Sequence, residues 1–397
     1  MRHFINLRTY QEFFKSASAG GIILIVFLIG SLLLANSPWG GDFARFLETE
    51  IGYHSEQVHL RYSLLLWVND GLMAIFFLLA GLEIKREMVE GELSTVKKAA
   101  LPVFAALGGM LVPAFIYFII NQGTATEHGW GIPMATDIAF AIGLVSMLGN
   151  RVPATLRIFL TALAIVDDLG AIVVIAVFYS SDLHLTYLLY AGGIFLLQLL
   201  LNRFGVTNLL FYLVPGAFMW YFIHHSGVHA TVAGVLTALT IPTTPDATES
   251  PLEKLEHSLT KPVNFLIMPI FALANTNIMF EEGMLAGLAT PLGLGILLGL
   301  FLGKPVGILL SCWLAVKLKI SALPKGMNWK LMTGLGMLAG IGFTMSIFIA
   351  LLSFDDLAHQ TEAKFCILVA SVLAGVVGFF ILRLSSKKRA TQVVQFG

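Results

Sequence analysis

Apolar runs long enough to cross a lipid bilayer recur along the whole 397-residue chain. A membrane-spanning helix needs about 20 mostly apolar residues, and about twelve windows of this kind can be distinguished. Their approximate centres are Val26, Phe76, Met110, Ala139, Ile165, Leu196, Pro215, Val235, Met268, Leu298, Ile341 and Val372. Only 12% of the residues are charged, against about 25% in an average protein. The sequence therefore predicts an all-α polytopic membrane protein with about 12 transmembrane helices.

The distribution of Lys and Arg residues indicates how these helices are oriented. If both termini are cytoplasmic, about 20 of the 24 positive residues lie on the cytoplasmic side, where such residues collect. Only Arg45, Arg61 and Lys364 lie on the other side. We therefore predict a multi-pass protein with both termini in the cytoplasm. The remaining cation, Lys304, lies inside an apolar run.

The connections between the apolar runs are short, which indicates one domain. We predict a single transmembrane domain over residues 1–390 and a short cytoplasmic tail over residues 391–397. Mixed apolar and basic residues from Phe4 to Lys15 predict an amphipathic helix in the membrane interface. No nucleotide-binding fingerprint or other cofactor motif is visible, so we expect no cofactor. A net charge of zero argues against nucleic acid as a partner.

Two adjacent aspartates, Asp167 and Asp168, stand in the middle of the apolar run from about Ile158 to Phe178. One carboxylate at membrane depth costs roughly 2.5–3.5 kcal/mol on insertion scales, so two are hard to explain as packing. Adjacent side chains on a regular helix point about 100° apart. One plausible division has one aspartate facing an ion path and the other facing Lys304. The alternative is a structural ion pair with one solvated carboxylate, but intramembrane charges are usually functional.

Two apolar runs carry signals for an interrupted helix. In the fourth run, Pro133 stands just before Thr136 and Asp137, and proline can open a membrane helix because it lacks a backbone donor. The eleventh run contains Gly334, Gly336, Gly340 and Gly342. A pair of interrupted spans in matching halves is the best sequence indication of a transport site. The alternative is that the glycines only allow close helix packing.

Other ionisable residues lie near the ends of predicted helices. His225 and His229 are four residues apart, but no H-E-x-x-H motif and no third ligand accompany them. A hydrogen-bonded histidine at the interface is therefore favoured over a zinc site. Two clusters of acidic and basic residues are predicted, from sequence alone, to be solvated helix ends on the cytoplasmic side. They comprise Glu83, Arg86 and Glu87 in one case and Glu253, Glu256 and His257 in the other.

Seven strings of the sequence together resemble the NhaA family of bacterial sodium/proton antiporters. They are WVNDGLMAIFFLLAGLEIKRE, ATDIAFAIG, FLTALAIVDDLGAI, SGVHATVAG, LEHSL, GKPVGI and GIGFTMSIFIA. The similarity extends from about Phe14 to Arg383. It implies inverted-topology repeats, spans three to five and ten to twelve, with two broken crossing helices at spans four and eleven. It also implies a secondary transporter of the bacterial inner membrane, not an enzyme, that exports Na⁺ and Li⁺ in exchange for protons. Such exchange is expected to be electrogenic and pH-regulated, and to serve sodium and pH homeostasis.

The resemblance also implies roles for individual residues. Asp168 matches the main ion-binding carboxylate, and Asp167 matches a neighbour paired with the lysine at Lys304. Asp137 and Lys304 are expected to balance the charges of facing helix ends. The predicted Na⁺ ligands are Asp168, Asp167 and Thr136, and the predicted helix-break and charge-compensation residues are Thr136, Asp137, Lys304, Gly340 and Gly342.

A region linked to pH control in the family has counterparts here as well. The matching residues are Glu83, Arg86, Glu87, Glu256 and His257, with His229 as a further candidate. Family members often carry a second histidine three residues after the position of His257, followed by proline. Thr260 and Lys261 occupy those places here, so the detail of pH sensing is expected to differ. The resemblance also implies a homodimer through the loop from about Gly52 to Arg61.

Three other functions stay open at this stage. A cation channel uses rings of carbonyls or charges around a symmetric pore, whereas this chain suggests inverted halves and one buried lysine. An intramembrane aspartyl protease needs two aspartates that share a proton, placed on different helices. Its G-x-G-D motif is absent from this sequence. A proton-coupled transporter of an organic solute has no polar or aromatic cluster to suggest a larger pocket.

Overall fold

The computed structural model of the chain describes residues 19–56, 59–180, 183–243, 249–281 and 283–386, most of which are helical. The predicted amphipathic helix from Phe4 to Lys15 and the predicted tail over 391–397 lie outside these residues. The described helices follow one another through short connections. They are α1 Ala19–Ala35, α2 Gly40–Glu48, α3 Leu64–Val89, α4 Val96–Asn121, α5 Ile138–Met147, α6 Ala154–Phe178, α7 Leu185–Arg203, α8 Leu210–His224, α9 Val232–Thr240, α10 Pro251–Pro262 continuing through Val263–Ile267 into Met268–Asn275, α11 Pro291–Lys317, α12 Trp329–Ala339, α13 Phe343–Ser353 and α14 Leu357–Ser385. Short 3₁₀ helices cover Glu127–Met134, Gly149–Arg151 and Met284–Ala289.

Several of these helices are long and apolar enough to cross a membrane. Among the described residues there are seven, or up to nine if each bent pair of helices counts as one span. The bent pairs are α1 with α2, at 109°, and α12 with α13, at 45°. Of the predicted span centres, all but Ile341 lie within helices, and Ile341 lies between α12 and α13. The protein is thus a multi-pass helical membrane protein, while the count of twelve spans stays a prediction.

A short β-hairpin corrects the all-α prediction. Strand β1 (Glu50–His54) pairs with strand β2 (His59–Ser63) in an antiparallel register that places His54 opposite His59. Every residue of β1 is exposed. Strands are recognised in sequences by alternation of buried apolar and exposed polar residues. The sequence does carry this alternation, with Ile51 and Tyr53 in β1 and Leu60 and Tyr62 in β2, but each run is only five residues long and lies between long apolar runs.

Within the described residues, three long helices contain a π-helical turn, in which each backbone hydrogen bond spans one more residue than in an α-helix. These turns are Trp67–Leu72 in α3, Val263–Ile267 in α10 and Gly299–Gly303 in α11. The π turn of α11 ends directly before Lys304. Single π turns inside α-helices occur frequently at functional sites, and this one precedes the only lysine that the sequence places deep in the membrane.

Helix α11 packs closely against α4 because glycines face each other at the contact. A Cβ atom on Gly307 would lie only 2.0 Å from the carbonyl oxygen of Gly108. Small residues at such contacts let membrane helices approach until their backbones touch. The contact fixes α11, and with it the position of the Lys304 side chain.

Candidate ion-binding site

Two interrupted helices contact each other at the centre of the candidate site. The chain is extended over residues 135–137, between the 3₁₀ helix Glu127–Met134 and α5. It is interrupted again over residues 340–342, between α12 and α13. The Asp137 amide donates to the carbonyl of Ile341 at 2.7 Å, and Thr136 Oγ1 lies 2.9 Å from the carbonyl of Ala339. Both predicted interruptions are therefore present, and the hydrogen bond from the Asp137 amide to Ile341 joins them directly.

Asp137 caps the helices that follow both breaks. Its Oδ1 accepts from the Phe140 amide of α5 at 3.0 Å. Its Oδ2 accepts from the amide of Thr344 at 3.2 Å and from the Thr344 hydroxyl at 2.5 Å. The N-terminus of a helix carries partial positive charge that a carboxylate stabilises. One buried carboxylate thus serves two helix N-termini at once.

Lys304 provides the opposite charge close by. Its side chain is fully buried, and Nζ donates to Asp167 Oδ2 at 2.6 Å and to the carbonyl of Met134. Met134 is the last residue of the 3₁₀ helix, whose C-terminal carbonyls favour a cation. Thr136 Oγ1 donates to the same Asp167 oxygen at 2.7 Å. Asp167 is therefore held by a lysine and a threonine.

Both adjacent aspartates keep one oxygen without a partner. Asp167 and Asp168 are 1% and 3% exposed, and no described residue donates a hydrogen bond to either Oδ1 atom. Leaving a buried polar group unpaired costs about 1–3 kcal/mol, and more for a charged one. Such a cost needs an explanation in a native protein, and a bound ion, a proton or a water molecule would each satisfy the group. The two Oδ1 atoms are therefore buried acceptors without a hydrogen-bond donor among the described residues.

Asp168 lines a cavity of about 510 Å³, whereas Asp167 does not. Thr136 and Asp137 line the cavity near Asp168, and Arg86 and the exposed Lys261 line it as well. Asp168 thus faces the cavity, while Asp167 faces Lys304; that the cavity is an ion path stays a prediction.

Most of the residues matched to pH control lie together near this cavity. Glu83 lines it beside Arg86, whose Nη1 lies 2.5 Å from Glu256 Oε1 and whose Nη2 lies 3.2 Å from Glu87 Oε1. His257 follows Glu256 but points to the surface. Its side chain is 69% exposed and its Nδ1 lies 3.5 Å from a Glu249 oxygen.

His229 lies apart from that group. Its Nδ1 is 2.8 Å from Thr231 Oγ1, and its Nε2 is 3.5 Å from Asp70 Oδ1. Asp70 and Glu83 are both on α3 but are roughly 20 Å apart at 1.5 Å per residue. Helix α8 ends at His224, so His225 and His229 do not share a helix face. Among the residues that the structure describes, no group of three His, Cys, Asp or Glu residues is arranged to hold a metal ion.

Comparison with known proteins places the chain in a family. Residues 11–382 match the sequence model of a family described as Na+/H+ antiporter 1. The chain belongs to this family. It is 61% identical to Na(+)/H(+) antiporter NhaA 2 of Flavobacterium johnsoniae over 393 residues, which are 99% of this chain and 96% of that protein. It is 50% identical to Na(+)/H(+) antiporter NhaA of Flavobacterium psychrophilum, with 94% and 95% covered, and 50% identical to that of Cytophaga hutchinsonii, with 96% of each covered. Because these relatives are antiporters, this Na+/H+ antiporter 1 family member is a transporter and not an enzyme.

In this family member, three hydroxyl residues at the site were missed by the sequence analysis. Thr344 donates to Asp137, Ser346 Oγ donates to the carbonyl of Ile132 at 2.8 Å, and Ser371 Oγ accepts from the Phe343 amide at 3.1 Å. Ser and Thr side chains beside a break in a membrane helix commonly bind the backbone groups and polar side chains that the break leaves unpaired, so G-F-T-M-S could have indicated the first two. Ser371 lies on α14, and no local signal connects it to this break.

Proposed function

We propose that this protein exports Na⁺, and also Li⁺, in exchange for protons, with Asp168 as the group that both ions share. The unpaired Oδ1 atoms of Asp168 and Asp167 carry the proposal. Alkali cations lose their water to protein oxygen atoms, and these two oxygens need a positive partner. With the Thr136 hydroxyl they form the proposed Na⁺ ligand set. The transported ions are cargo, and the scheme requires no cofactor.

Exchange follows if the site holds protons or a cation but not both. When the site faces the cavity, Na⁺ or Li⁺ displaces protons from Asp168 and the group coupled to it. After the site has turned to the other side, protons displace the cation. Exchange of two protons for one cation would move one net charge inward. At 100 mV this charge supplies about 2.3 kcal/mol, enough for a roughly fortyfold sodium gradient.

The topology behind this exchange is also part of the proposal. The two contacting breaks, in the fourth and eleventh predicted spans, support twelve spans with two inverted repeats that move against the rest of the helices. The distribution of Lys and Arg supports cytoplasmic termini. In this orientation the cavity opens to the cytoplasm and the β-hairpin lies in the periplasm. We place this protein in the bacterial inner membrane. The whole transporter would form one domain, and two copies would contact each other through the hairpin in a homodimer.

We further propose that pH regulates the exchange at the cavity mouth. Arg86 binds Glu256 and Glu87 there, and Glu83 lines the wall beside it. Protonation of a carboxylate in this group would break an ion pair between α3 and α10. Because Glu256 Oε2 is buried without a hydrogen-bond partner among the described residues, the group is incompletely satisfied and open to such a change. Regulation of this kind would serve sodium and pH homeostasis.

Replacing Asp168 with asparagine tests the proposed function most directly. The purified protein is reconstituted into vesicles that carry a pH gradient and a ΔpH probe. Added Na⁺ or Li⁺ should dissipate this pH gradient, and K⁺ is the reference cation. The assay is repeated at external pH values from about 6.5 to 8.5. D168N should lose at least about 100-fold in rate, since the neutral amide cannot exchange a proton. Full activity of D168N would contradict the assignment. Ion flux that never saturates with Na⁺ would favour a channel.

Glu362→Gln is a matched control for this experiment. The Glu362 carboxylate accepts from the Thr290 hydroxyl at 2.5 Å and does not line the cavity. E362Q makes the same change from carboxylate to amide in the helical region of the protein. It should retain exchange, so a loss in D168N alone can be assigned to the site.

A further inference from the structure

Two histidines face each other across the β-hairpin. His54 is the last residue of β1 and His59 is the first residue of β2, and the antiparallel register places them directly opposite each other. The side chains of such a cross-strand pair lie on the same face of the sheet, with Cβ atoms about 4.5–5.5 Å apart. The two ring centroids are 4.9 Å apart, and the ring planes are nearly perpendicular, at 89°. The hairpin itself therefore holds two imidazoles side by side.

The strand pairing beside these histidines depends on Gly52. Its φ of 127° lies in a region that favours glycine, and a Cβ atom there would lie 1.9 Å from the carbonyl oxygen of Leu60. Gly52 pairs with Arg61, and this pair is the neighbour of the histidine pair on the same face of the hairpin. The close approach of the two strands at Gly52 thus supports the register that brings the imidazoles together.

Both imidazoles are exposed, and their nitrogen atoms are available to a ligand from solution. The His59 ring contacts the Tyr62 ring, with centroids 5.2 Å apart. No residue in the described part of the chain forms a hydrogen bond or an ion pair with a ring nitrogen of either histidine. The nearby His225 differs, because its Nδ1 lies 2.9 Å from the carbonyl of Tyr221. The hairpin pair is thus distinguished by exposed ring nitrogens that the fold does not use.

We infer that His54 and His59 form a binding site for a divalent transition-metal ion such as Zn²⁺. Neutral imidazole is the commonest protein ligand of metals and suits zinc, copper and nickel. Mg²⁺ and Ca²⁺ prefer oxygen ligands, so this pair should not bind them. The inference does not depend on the proposed exchange, because the hairpin lies apart from the Asp168 site.

The separation of the two rings fits two ligands of one metal ion. Zinc binds imidazole nitrogen at about 2.0–2.1 Å and takes its ligands in a tetrahedral arrangement, which places the centroids of two bound imidazole rings roughly 5 Å apart. The observed separation of 4.9 Å agrees with this value. Because both side chains are exposed, rotation about their own bonds can direct one nitrogen of each ring at the metal without a change in the strands.

The charged groups on the same face of the hairpin do not oppose a cation. The positive charge of Arg61 is compensated, because its Nε lies 3.1 Å from Glu50 Oε2. Glu50, Arg61 and both histidines line one surface pocket. One hairpin supplies two imidazole ligands, which agrees with the finding that no group of three metal-binding residues is present among the residues described.

The remaining positions around the metal ion connect this site with the proposed homodimer. Zinc usually takes four ligands. In a single copy of the protein, water fills the positions that the two imidazoles leave open. If two copies meet through their hairpins, the histidine pair of the second copy completes a site of four imidazoles. The site would then bind one metal ion per two chains and would hold the two copies together.

Calorimetric titration with ZnCl₂ tests the site. The full-length protein is purified in detergent without a polyhistidine tag and is freed of metal with a chelator, and MgCl₂ is the reference salt. We expect saturable binding of Zn²⁺ and none of Mg²⁺. His54→Gln and His59→Gln should each lower the affinity for Zn²⁺ at least about tenfold, since loss of even an outer-shell partner of a metal ligand costs about 10–100-fold. Unchanged affinity in both variants would overturn the inference, and so would the absence of saturable Zn²⁺ binding by the unchanged protein.

His128→Gln is the matched control for this titration. His128 is also exposed, but it lies in the 3₁₀ helix Glu127–Met134 and not in the hairpin. H128Q should bind Zn²⁺ like the unchanged protein. An equal loss of affinity in H128Q would contradict a site on the hairpin. One metal ion per chain and one per two chains both support the site, and the second ratio also supports the homodimer.

Electron paramagnetic resonance of bound Cu²⁺ identifies the ligands themselves, and it does so even if a substitution disturbs the hairpin. Imidazole suits Cu²⁺ as well as Zn²⁺, and each bound nitrogen adds hyperfine structure to the Cu²⁺ signal. The number of imidazole nitrogens in the unchanged protein should fall in H54Q and in H59Q and should stay the same in H128Q. The same number of nitrogens in H54Q, H59Q and the unchanged protein would show that the ligands lie elsewhere and would overturn the inference.

Discussion

The two helix breaks contact each other, yet they are built from different chemistry. The first break, residues 135–137, contains Thr136 and Asp137, and their side chains hold the second break and Asp167. The second break, residues 340–342, offers no polar side chain and contributes backbone carbonyls instead. One break supplies charge and hydrogen bonds, while the other supplies a close backbone approach.

The glycines of the second break provide room, and not an unusual backbone conformation. Gly340 and Gly342 have φ values of −70° and −88°, which any residue can adopt. A Cβ atom on Gly340 would lie 2.4 Å from the carbonyl oxygen of Leu300. Leu300 belongs to the π turn of α11 that precedes Lys304. The missing side chain at Gly340 therefore leaves room for the backbone of α11 at Leu300.

Removal of the Asp137 carboxylate should have the largest effect on this arrangement. Asp137→Ala leaves the Phe140 amide, the Thr344 amide and the Thr344 hydroxyl without their acceptor. We expect a loss of about 3–5 kcal/mol of unfolding free energy, because buried donors are left unpaired. Thermal unfolding in detergent would measure it, and Asp137→Asn, which keeps one acceptor oxygen, should lose less. Equal stability of D137A and the unchanged protein would show that the first break does not hold the second.

A methyl group at the second break should have the next largest effect. Gly340→Ala must displace the backbone of α11 at Leu300, and we expect a loss of about 1–3 kcal/mol from this overpacking. Sodium exchange should fall as well, because the shift reaches Lys304. Gly192→Ala on α7 is the control, since no other atom lies within 4 Å of its added Cβ. If G340A melts at the same temperature as G192A, the glycine there is not required for space.

Loss of the Thr344 hydroxyl should have the smallest effect of the three. Thr344→Val removes one of the groups that bind Asp137 Oδ2, while the backbone amides of Phe140 and Thr344 remain as donors. One such hydrogen bond contributes about 1 kcal/mol to the free energy of unfolding. A comparison of the unfolding of T344V with that of Thr344→Ser would measure this contribution. T344S keeps the hydroxyl and should behave like the unchanged protein. A loss in T344V as large as that in D137A would mean that the side chain, and not the amides, makes the cap.

Local signals were enough to predict where the helices break but not what the breaks contact. Pro133 beside Asp137, and Gly340 beside Gly342, mark the interruptions because they affect the backbone at their own position. The bond from Asp137 to Ile341 depends on how distant helices pack, which no local pattern encodes. The contact between Asp70 Oδ2 and His224 Nδ1, at 3.0 Å, was missed for the same reason. The β-hairpin was missed because each strand is only five residues long, although apolar residues alternate with polar residues or glycine in both.

The π turn of α11 changes the direction in which the Lys304 side chain points. A π turn accommodates one residue more than an α-helical turn would, so every later side chain is offset by about 100° from its place on an uninterrupted helix. Lys304 is the first residue after this turn. On a regular helix, the same amino acids would aim its ammonium group about a quarter of a circle away from Asp167. The presence of a lysine at this position is therefore not sufficient. The π turn also has to direct Lys304 toward Asp167 for the two side chains to form an ion pair.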